Sequence, residues 1–164
     1  MPMEHLMLGI SAESGDWETA LPDAEFDKAL ARVPVFDIRV SAGNGREPWD
    51  ERPISALAFR RDYLKRYVDA DQLVIFRVDG DSMEPFLCHD DMLMVDQAQT
   101  EPRDGLFVVR IDQQLLVKRV QVAGRDKLIL TSANPAYAPI EIDTNKEKDG
   151  FAIIGKGVWI GRNI

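Results

Sequence analysis

Short runs of apolar residues dominate the chain from residue 33 onward. VPVFDIRVSAG alternates apolar and polar side chains, as a half-buried strand does. Seven further runs follow: QLVIFRV, DMLMVD, GLFVVRID, QLLVKRVQV, KLILTS, IEID and FAIIGKGVWIG. Turn signals such as Asp104-Gly105, Ala123-Gly124 and Asn134-Pro135 separate them at the spacing of all-β proteins. The pattern predicts a mainly β domain over residues 33–164, built as a sandwich or barrel.

The residues before this domain have a different composition. Residues 11–25 are polar, acidic and interrupted by Gly15 and Pro22, which indicates a linker. FDKALARV predicts one or two helical turns. Within the β domain, FRRDYLKRYVDAD is the best helix candidate, with its apolar residues at three- and four-residue spacing. We therefore predict an interdomain linker over residues 1–32, followed by one β domain that contains one short helix.

Composition narrows the possible functions. The 164 residues suffice for one domain and a tail, and no apolar window is long enough to span a membrane. The net charge of −8 repels phosphate, so this chain by itself is predicted to bind nucleic acid poorly. The single cysteine, Cys88, excludes an internal disulfide and fits the reducing cytoplasm.

No metal or cofactor site is predicted. His5 and His89 are far apart in the sequence, and no cysteine pair accompanies them. The glycines of GISAESGDW and SAGNG lack the spacing of a phosphate loop or of a dinucleotide-binding fingerprint.

The stretch RVDGDSMEPFLCHDDMLMVDQ contains the first candidate for chemistry, Ser82. An apolar run ends in an Asp-Gly-Asp turn, and the serine follows at once. Ser82 fits a helix N-cap, with Pro85 in the first turn, but it also fits a nucleophile held on a bend. A nucleophile needs a base, and His89, seven residues on, has no obvious partner to orient it.

Lys118 is the second candidate. If QQLLVKRVQVA is a strand, Lys118 shares a face with Leu116, Val120 and Val122. A lysine buried among apolar residues loses hydration of its charged form, so its pKa falls and the amine becomes usable as a base. The alternative is that Lys118 extends to the edge of the strand and keeps its charge in water.

The ordered motifs VDGDSMEPFL, DDMLMVD, DGLFVVRIDQQLLVKRV, NPAYAPIEI and IIGKGVWIGR resemble the self-cleaving repressor family of LexA, the CI-type phage repressors and UmuD. The resemblance covers roughly residues 33–164. The pair GDSMEP and VKR, with Lys118 placed 36 residues after Ser82, is its most specific part. Bacterial signal peptidases share a related Ser/Lys site. The resemblance implies a LexA-like, signal-peptidase-like β-rich peptidase domain.

The resemblance also implies roles for individual residues. Ser82 corresponds to the nucleophile and Lys118 to the base that takes its proton. Backbone N–H groups of Ser82 and Asp81 correspond to the oxyanion hole. The substrate in this family is the protein's own chain, cut between alanine and glycine, and Ala42-Gly43 lies 39 residues before Ser82.

Two positions depart from the family pattern. Phe86 stands where many relatives have threonine, and its bulk is expected to reshape the pocket near the nucleophile. Asp90 stands where many have glycine, and an aspartate tolerates the left-handed conformation better than most residues. Cys88 beside His89 suggests a cysteine nucleophile, but a bystander or core thiol is the better interpretation.

The resemblance implies partners as well. Relatives form homodimers, and RecA on single-stranded DNA promotes their cleavage. They bind operator DNA through an N-terminal helix-turn-helix domain, which does not fit into the first 31 residues here. We expect the self-cleaving part of a longer SOS-type or phage-type repressor. The alternatives are a UmuD-like polymerase-accessory protein and a non-catalytic dimerisation or sensing module.

Overall fold

The computed structural model describes residues 23–39, 52–67 and 69–164, and its described strands form one nine-stranded sheet. The strands are β1 Leu30–Asp37, β2 Ser55–Arg60, β3 Leu73–Arg77, β4 Met92–Asp96, β5 Gly105–Ile111, β6 Gln114–Val122, β7 Lys127–Thr131, β8 Ile140–Asp143 and β9 Phe151–Gly161. The prediction of a mainly β fold is confirmed. All seven apolar runs after residue 70 are strands.

The described helices are short. Helix α1 covers Asp23–Ala29, helix α2 covers Arg61–Leu64, and a 3-10 turn covers Ala70–Gln72. The best helix candidate of the sequence is thus a single turn, because Leu64 is its one buried residue and because Phe59 and Arg60, at the start of the candidate segment, belong to strand β2. Among the described residues, no helix has the length and apolar character needed to cross a membrane.

The order of the strands is β2-β1-β3-β4-β9-β5-β6-β7-β8. The neighbours β1 and β3 run parallel, and the other neighbouring pairs run antiparallel. Strand β9 pairs with both β4 and β5, and the register shifts on each side of it. At Gly155 of β9 a Cβ atom would lie 2.6 Å from the carbonyl oxygen of Asp96, so only glycine allows the strands to approach this closely.

The sheet bends around its main core. In a flat sheet, β3 and β6 would lie four strand spacings apart, about 19 Å. Instead, side chains from both strands belong to one buried cluster, with Phe76 from β3 and Val117 from β6. The bend therefore brings the turn after β3 next to β6, and the two candidate residues lie on these two elements.

Candidate active site

Ser82 lies on the turn that joins β3 to β4, and no helix begins there. Two backbone hydrogen bonds close the base of the turn, from Val78 N to Asp91 O at 2.8 Å and from Asp90 N to Val78 O at 2.9 Å. Gly80 has φ +83°, which a residue without a Cβ adopts freely. Ser82 is half-buried, and its hydroxyl makes no hydrogen bond to another described residue. The helix-capping interpretation of Ser82 is wrong.

Two apolar side chains anchor this turn. Met83 is 2% exposed and Leu87 is fully buried, and both belong to the cluster shared by β3, β4 and β6. Leu87 N donates to Met83 O at 2.8 Å, which closes a single tight turn. Because Met83 directly follows Ser82, the serine backbone is fixed to the core.

The far end of the turn is tied to the end of β9. Asp90 has φ 68°, the left-handed conformation that an aspartate is expected to tolerate at this position. The buried Asp91 carboxylate accepts hydrogen bonds from Arg162, with Nε 2.9 Å from Oδ1 and Nη2 2.5 Å from Oδ2. Hydrogen bonding from Arg162 lowers the pKa of Asp91 despite its burial. Asp91 also accepts from Cys88 N at 2.7 Å, so one ionised carboxylate joins the Ser82 turn to the last strand.

The two other nucleophile or base candidates of this turn do not bond to Ser82. His89 Nδ1 lies 3.2 Å from Oδ1 of Asp79 and accepts a hydrogen bond from Gly80 N at 3.4 Å. The Cys88 thiol lies 3.8 Å from the carbonyl oxygen of Pro85. Within the described part of the chain, these contacts give no support to a Ser–His pair or to a cysteine nucleophile.

Lys118 is the central residue of β6 and is 5% exposed. It stands between the half-buried Leu116 and the buried Val120, as the alternation predicted, whereas Val122 at the end of the strand is exposed. Burial takes water from the ammonium group and lowers the pKa of Lys118 below its ordinary 10.5. Among the described residues no carboxylate forms an ion pair with it. The alternative in which Lys118 extends into solvent is wrong.

Among the described residues, the amine of Lys118 has one hydrogen bond and one aromatic contact, both with the segment after β7. Nζ donates a hydrogen bond to Ser132 Oγ at 2.7 Å. It also lies 5.6 Å from the centroid of the Tyr137 ring, within the range of a cation–π interaction. The amine is thus held by a hydroxyl and covered by an aromatic ring.

The same segment holds the Ser82 turn. Asn134 N donates to Ser82 O at 3.0 Å, and Asn134 Nδ2 donates to Asp81 O at 3.1 Å. The Tyr137 hydroxyl donates to the Asp81 carboxylate, and this hydrogen bond raises the pKa of Tyr137. Ser82 and Lys118 are therefore both attached to one segment, but no hydrogen bond joins the Ser82 hydroxyl to the Lys118 amine.

A cavity of about 290 Å³ opens beside Ser82. It lies where the residues after β1, the turn after β3 and the first half of β6 meet. The described residues that line it include Ile38, Arg39, Val78, Ser82, Leu115 and Val117. Phe86 is not among them; it is 43% exposed, with the guanidinium of Arg119 4.9 Å from its ring centroid. The expected effect of Phe86 on this pocket is not seen.

One edge of β6 is open along this cavity. Strand β6 pairs with β5 from Gln114 to Val120, but with β7 only from Arg119 to Val122. Within the described residues, no strand covers the β7 side of residues 114–118. An open strand edge beside a cavity can accept an extended segment as an additional strand.

The predicted cleavage site, Ala42-Gly43, lies outside the described residues. The chain leaves the described part at Arg39, which lines the cavity with Ser82 and is three residues from Ala42. The backbone N–H groups of Asp81 and Ser82, predicted as oxyanion donors, bond to no described residue.

Comparison with known proteins identifies the family. The peptidase S24-like family model matches residues 34–158, which is most of the chain. The chain belongs to this family. Among its relatives, this S24-like chain is 28% identical over 153 residues to the LexA repressor of Photorhabdus laumondii, covering 83% of this chain and 75% of the relative.

Two other relatives carry related names. LexA repressor 2 of Xanthomonas oryzae pv. oryzae is 33% identical over 150 residues, covering 89% of this chain and 64% of the relative. An uncharacterized HTH-type transcriptional regulator of Haemophilus influenzae is 26% identical over 130 residues, covering 79% and 50%. The S24-like chain thus spans half to three quarters of the length of these relatives.

Sequence reasoning missed the residues that surround the pair in this S24-like chain. NPAYAPIEI belongs to the family-like pattern, yet no role was predicted for Ser132, Asn134 or Tyr137. The hairpin register pairs Arg119 with Thr131, and its continuation places Lys118 opposite Ser132. Ser132 could have been found as a partner of Lys118, because it is a polar residue that directly follows an apolar strand and lies opposite the lysine in the hairpin.

Proposed function

We propose that this S24-like domain is a serine peptidase that cuts its own chain between Ala42 and Gly43, with Ser82 as nucleophile and Lys118 as general base. By similarity to the LexA repressors, the whole protein is a transcriptional repressor that cleavage inactivates. The observation that carries this proposal is the burial of Lys118 without a described carboxylate partner. Burial of this kind lowers the pKa of the amine and so increases the fraction of its neutral form, which a base acting on serine requires.

The reaction is an acyl transfer to serine followed by hydrolysis. The neutral amine of Lys118 takes the proton of the Ser82 hydroxyl, and the oxygen attacks the carbonyl carbon of Ala42. The backbone N–H groups of Ser82 and Asp81 stabilise the negative oxygen that forms. The Lys118 ammonium then gives its proton to the departing amine of Gly43, and water hydrolyses the Ala42 ester to restore Ser82.

The chain length between Arg39 and Ala42 supports cleavage within one molecule. Three residues span at most about 10 Å when extended, and Arg39 already lines the cavity that contains Ser82. The open edge of β6 offers this segment backbone partners on the same side. A tethered substrate replaces a second-order encounter and raises the effective concentration of the scissile bond.

The described arrangement favours a resting state. The Lys118 amine donates to Ser132, and no hydrogen bond joins it to Ser82, so the Ser82 hydroxyl has to turn toward the amine that Ser132 holds before proton transfer. Docking of the scissile segment adds a second requirement. A docked state populated at about 1% slows cleavage about a hundredfold. RecA on single-stranded DNA, the co-protease expected from the family resemblance, acts by raising this population.

Incubation of the purified protein at pH 7 to 10, followed by intact-mass spectrometry, tests the proposal. Cleavage produces two pieces of 42 and 122 residues. The first-order rate constant is expected to be independent of protein concentration. Ser82→Ala and Lys118→Met each abolish the cut while the protein remains folded in thermal unfolding.

Two outcomes would contradict the proposal. A wild-type chain that stays intact after days at pH 10 indicates the non-catalytic dimerisation or sensing module. Continued cleavage in Lys118→Met places the base at another residue. In the longer repressor, cleavage at Ala42 breaks the covalent link between a DNA-binding part and a dimerising part, so affinity gained through bivalence is lost once the two parts come apart.

A further inference from the structure

The segment Ser132–Tyr137, between β7 and β8, contacts both members of the candidate pair. Strand β7 leaves its pairing with β6 after Thr131, and the chain then crosses to the Ser82 turn. On the way, Ala133 N lies 3.4 Å from the sulfur of Met83, the residue that follows Ser82. Within the described residues, this segment is the direct hydrogen-bonded connection between Lys118 and the Ser82 turn.

Ser132 fixes the amine of Lys118. The Nζ–Oγ distance is 2.7 Å, and the amine forms no hydrogen bond to any other described residue. A lysine side chain has four rotatable bonds, so a buried amine without a partner samples several positions. One hydroxyl at hydrogen-bond distance selects among them.

Tyr137 fixes the Ser82 turn, on the other side of the site. Its hydroxyl donates a hydrogen bond to the carboxylate of Asp81. The backbone carbonyl oxygen of Asp81 also accepts a hydrogen bond from the side-chain amide of Asn134. The Tyr137 ring lies 5.6 Å from the Lys118 amine, so one side chain touches both halves of the site. Tyr137 is 44% exposed and adds little to the core, which makes a purely structural role a poor explanation of these contacts.

We propose that the segment Ser132–Tyr137 is the positioning element of the Ser82–Lys118 pair: Ser132 orients the amine, and Tyr137 holds the Ser82 turn through Asp81. This inference rests on the proposed self-cleavage. In this proposal neither Ser132 nor Tyr137 takes part in making or breaking a bond. Their contribution is to limit the relative movement of the nucleophile and the base, on which the rate of proton transfer depends.

The first test replaces the hydroxyl of Ser132. Ser132→Ala is expected to lower the first-order rate constant of self-cleavage about tenfold, the effect of one lost hydrogen bond in the transition state. Ser132→Thr, which keeps the hydroxyl, restores the rate to within about threefold. Ser55→Ala, an exposed serine on β2, is the matched control and leaves the rate unchanged. Equal rates for wild type and Ser132→Ala would overturn the proposal and leave the proposed function intact.

The second test separates the hydroxyl of Tyr137 from its ring. Tyr137→Phe removes the bond to Asp81 but keeps the ring beside Lys118, and we expect about a fivefold loss of rate, within the range of one hydrogen bond. Tyr63→Phe is the matched control, since Tyr63 is similarly exposed on α2, far along the sheet from Lys118. Thermal unfolding shows that each variant is folded. An unchanged rate for Tyr137→Phe overturns the role of Tyr137.

A third measurement does not depend on cleavage. The ε-methylene NMR signal of Lys118, assigned by its loss in Lys118→Met, is recorded in Ser82→Ala and in Ser82→Ala/Ser132→Ala. A displaced or broadened signal in the double variant shows that Ser132 orients the amine, and an unmoved signal overturns that role. If wild-type protein fails to cleave at all, the proposed function falls, and this signal still decides whether Ser132 fixes Lys118.

Discussion

The carboxylate of Asp37 accepts a hydrogen bond of 2.6 Å from Nη2 of Arg77, which joins the ends of the parallel strands β1 and β3. The same carboxylate accepts from the backbone N–H of Arg39 at 3.0 Å. Asp37 is 7% exposed, so these bonds replace its lost hydration. Asp37 thereby fixes the point at which the chain departs toward Ala42, and it fixes it beside the cavity of Ser82.

Asp37→Asn is expected to slow self-cleavage about three- to tenfold, because a looser Arg39 presents Ala42 to Ser82 less often. We expect a loss of about 1–2 kcal/mol in the free energy of unfolding, since the neutral amide binds Arg77 more weakly. The measurements are the first-order cleavage rate and urea unfolding. Asp27→Asn, on the exposed face of α1, is the control. A normal cleavage rate in a destabilised Asp37→Asn protein contradicts the anchoring role.

Lys118→Met is expected to raise the melting temperature at pH 7. Burial lowers the pKa of Lys118 in the folded state, so between that pKa and 10.5 the unfolded chain binds more protons than the folded one. In this pH range folding has to release a proton from Lys118, which lowers the free energy of unfolding, and this cost disappears as the pH rises toward 10.5. Melting curves of both proteins from pH 6 to pH 10.5 test this, and the advantage of the variant should shrink with rising pH. A gap that widens with pH would contradict a lowered pKa.

The rate of self-cleavage should rise with pH and then level off. Neutral Lys118 is the reactive form, so the rate follows its population and increases about tenfold per pH unit below the folded pKa. The plateau is expected below pH 10.5, because burial lowers the pKa of Lys118. A rate profile from pH 6 to pH 11, measured by intact mass, gives the midpoint. A flat profile would exclude Lys118 as the titrating base.

Asp91→Asn is expected to destabilise the protein by about 2 kcal/mol at pH 7, because Arg162 and Cys88 N lose an ionised acceptor. Hydrogen bonding from Arg162 lowers the pKa of Asp91, so its stabilising effect is complete above the unfolded pKa near 4. That effect is lost as the pH falls through the folded pKa. Urea unfolding at pH 7 and pH 3 should show a smaller difference at the lower pH. An equal difference at both values would argue that the carboxylate is not ionised in the fold.

Apolar runs predicted the strands well where both faces are buried. In β3, for example, Leu73 to Phe76 are all buried. Strand β2 was missed because it lies at the edge of the sheet, with Leu57 and Phe59 only half-buried. The helix predicted from Tyr63, Leu64 and Tyr67 is one turn, since that periodicity covers a single buried residue. Exposure at the edge of a sheet weakens the alternation on which sequence reasoning depends.

At the site, the sequence placed Lys118 on the apolar face of β6, because alternation along a strand depends only on local spacing, but it left open whether the amine is buried or reaches solvent. Its partner Ser132 lies 14 residues on, and that contact depends on the hairpin register and on where β7 leaves the sheet. The anchoring of Asp37 by Arg77 spans 40 residues and two parallel strands. Contacts of this range follow from tertiary packing, which periodicity does not encode.

Strand β1 lies on the upstream side of Ala42, yet it is an internal strand of the sheet, between β2 and β3. Its side chains Val33, Val35 and Phe36 are each at most 4% exposed. If the chain is cut at Ala42 as proposed, the two pieces of the nicked protein therefore stay interlocked. Release of the upstream piece requires β1 to be pulled out of the sheet, so the lifetime of the nicked form, and not the chemical step, sets how long the two halves remain together.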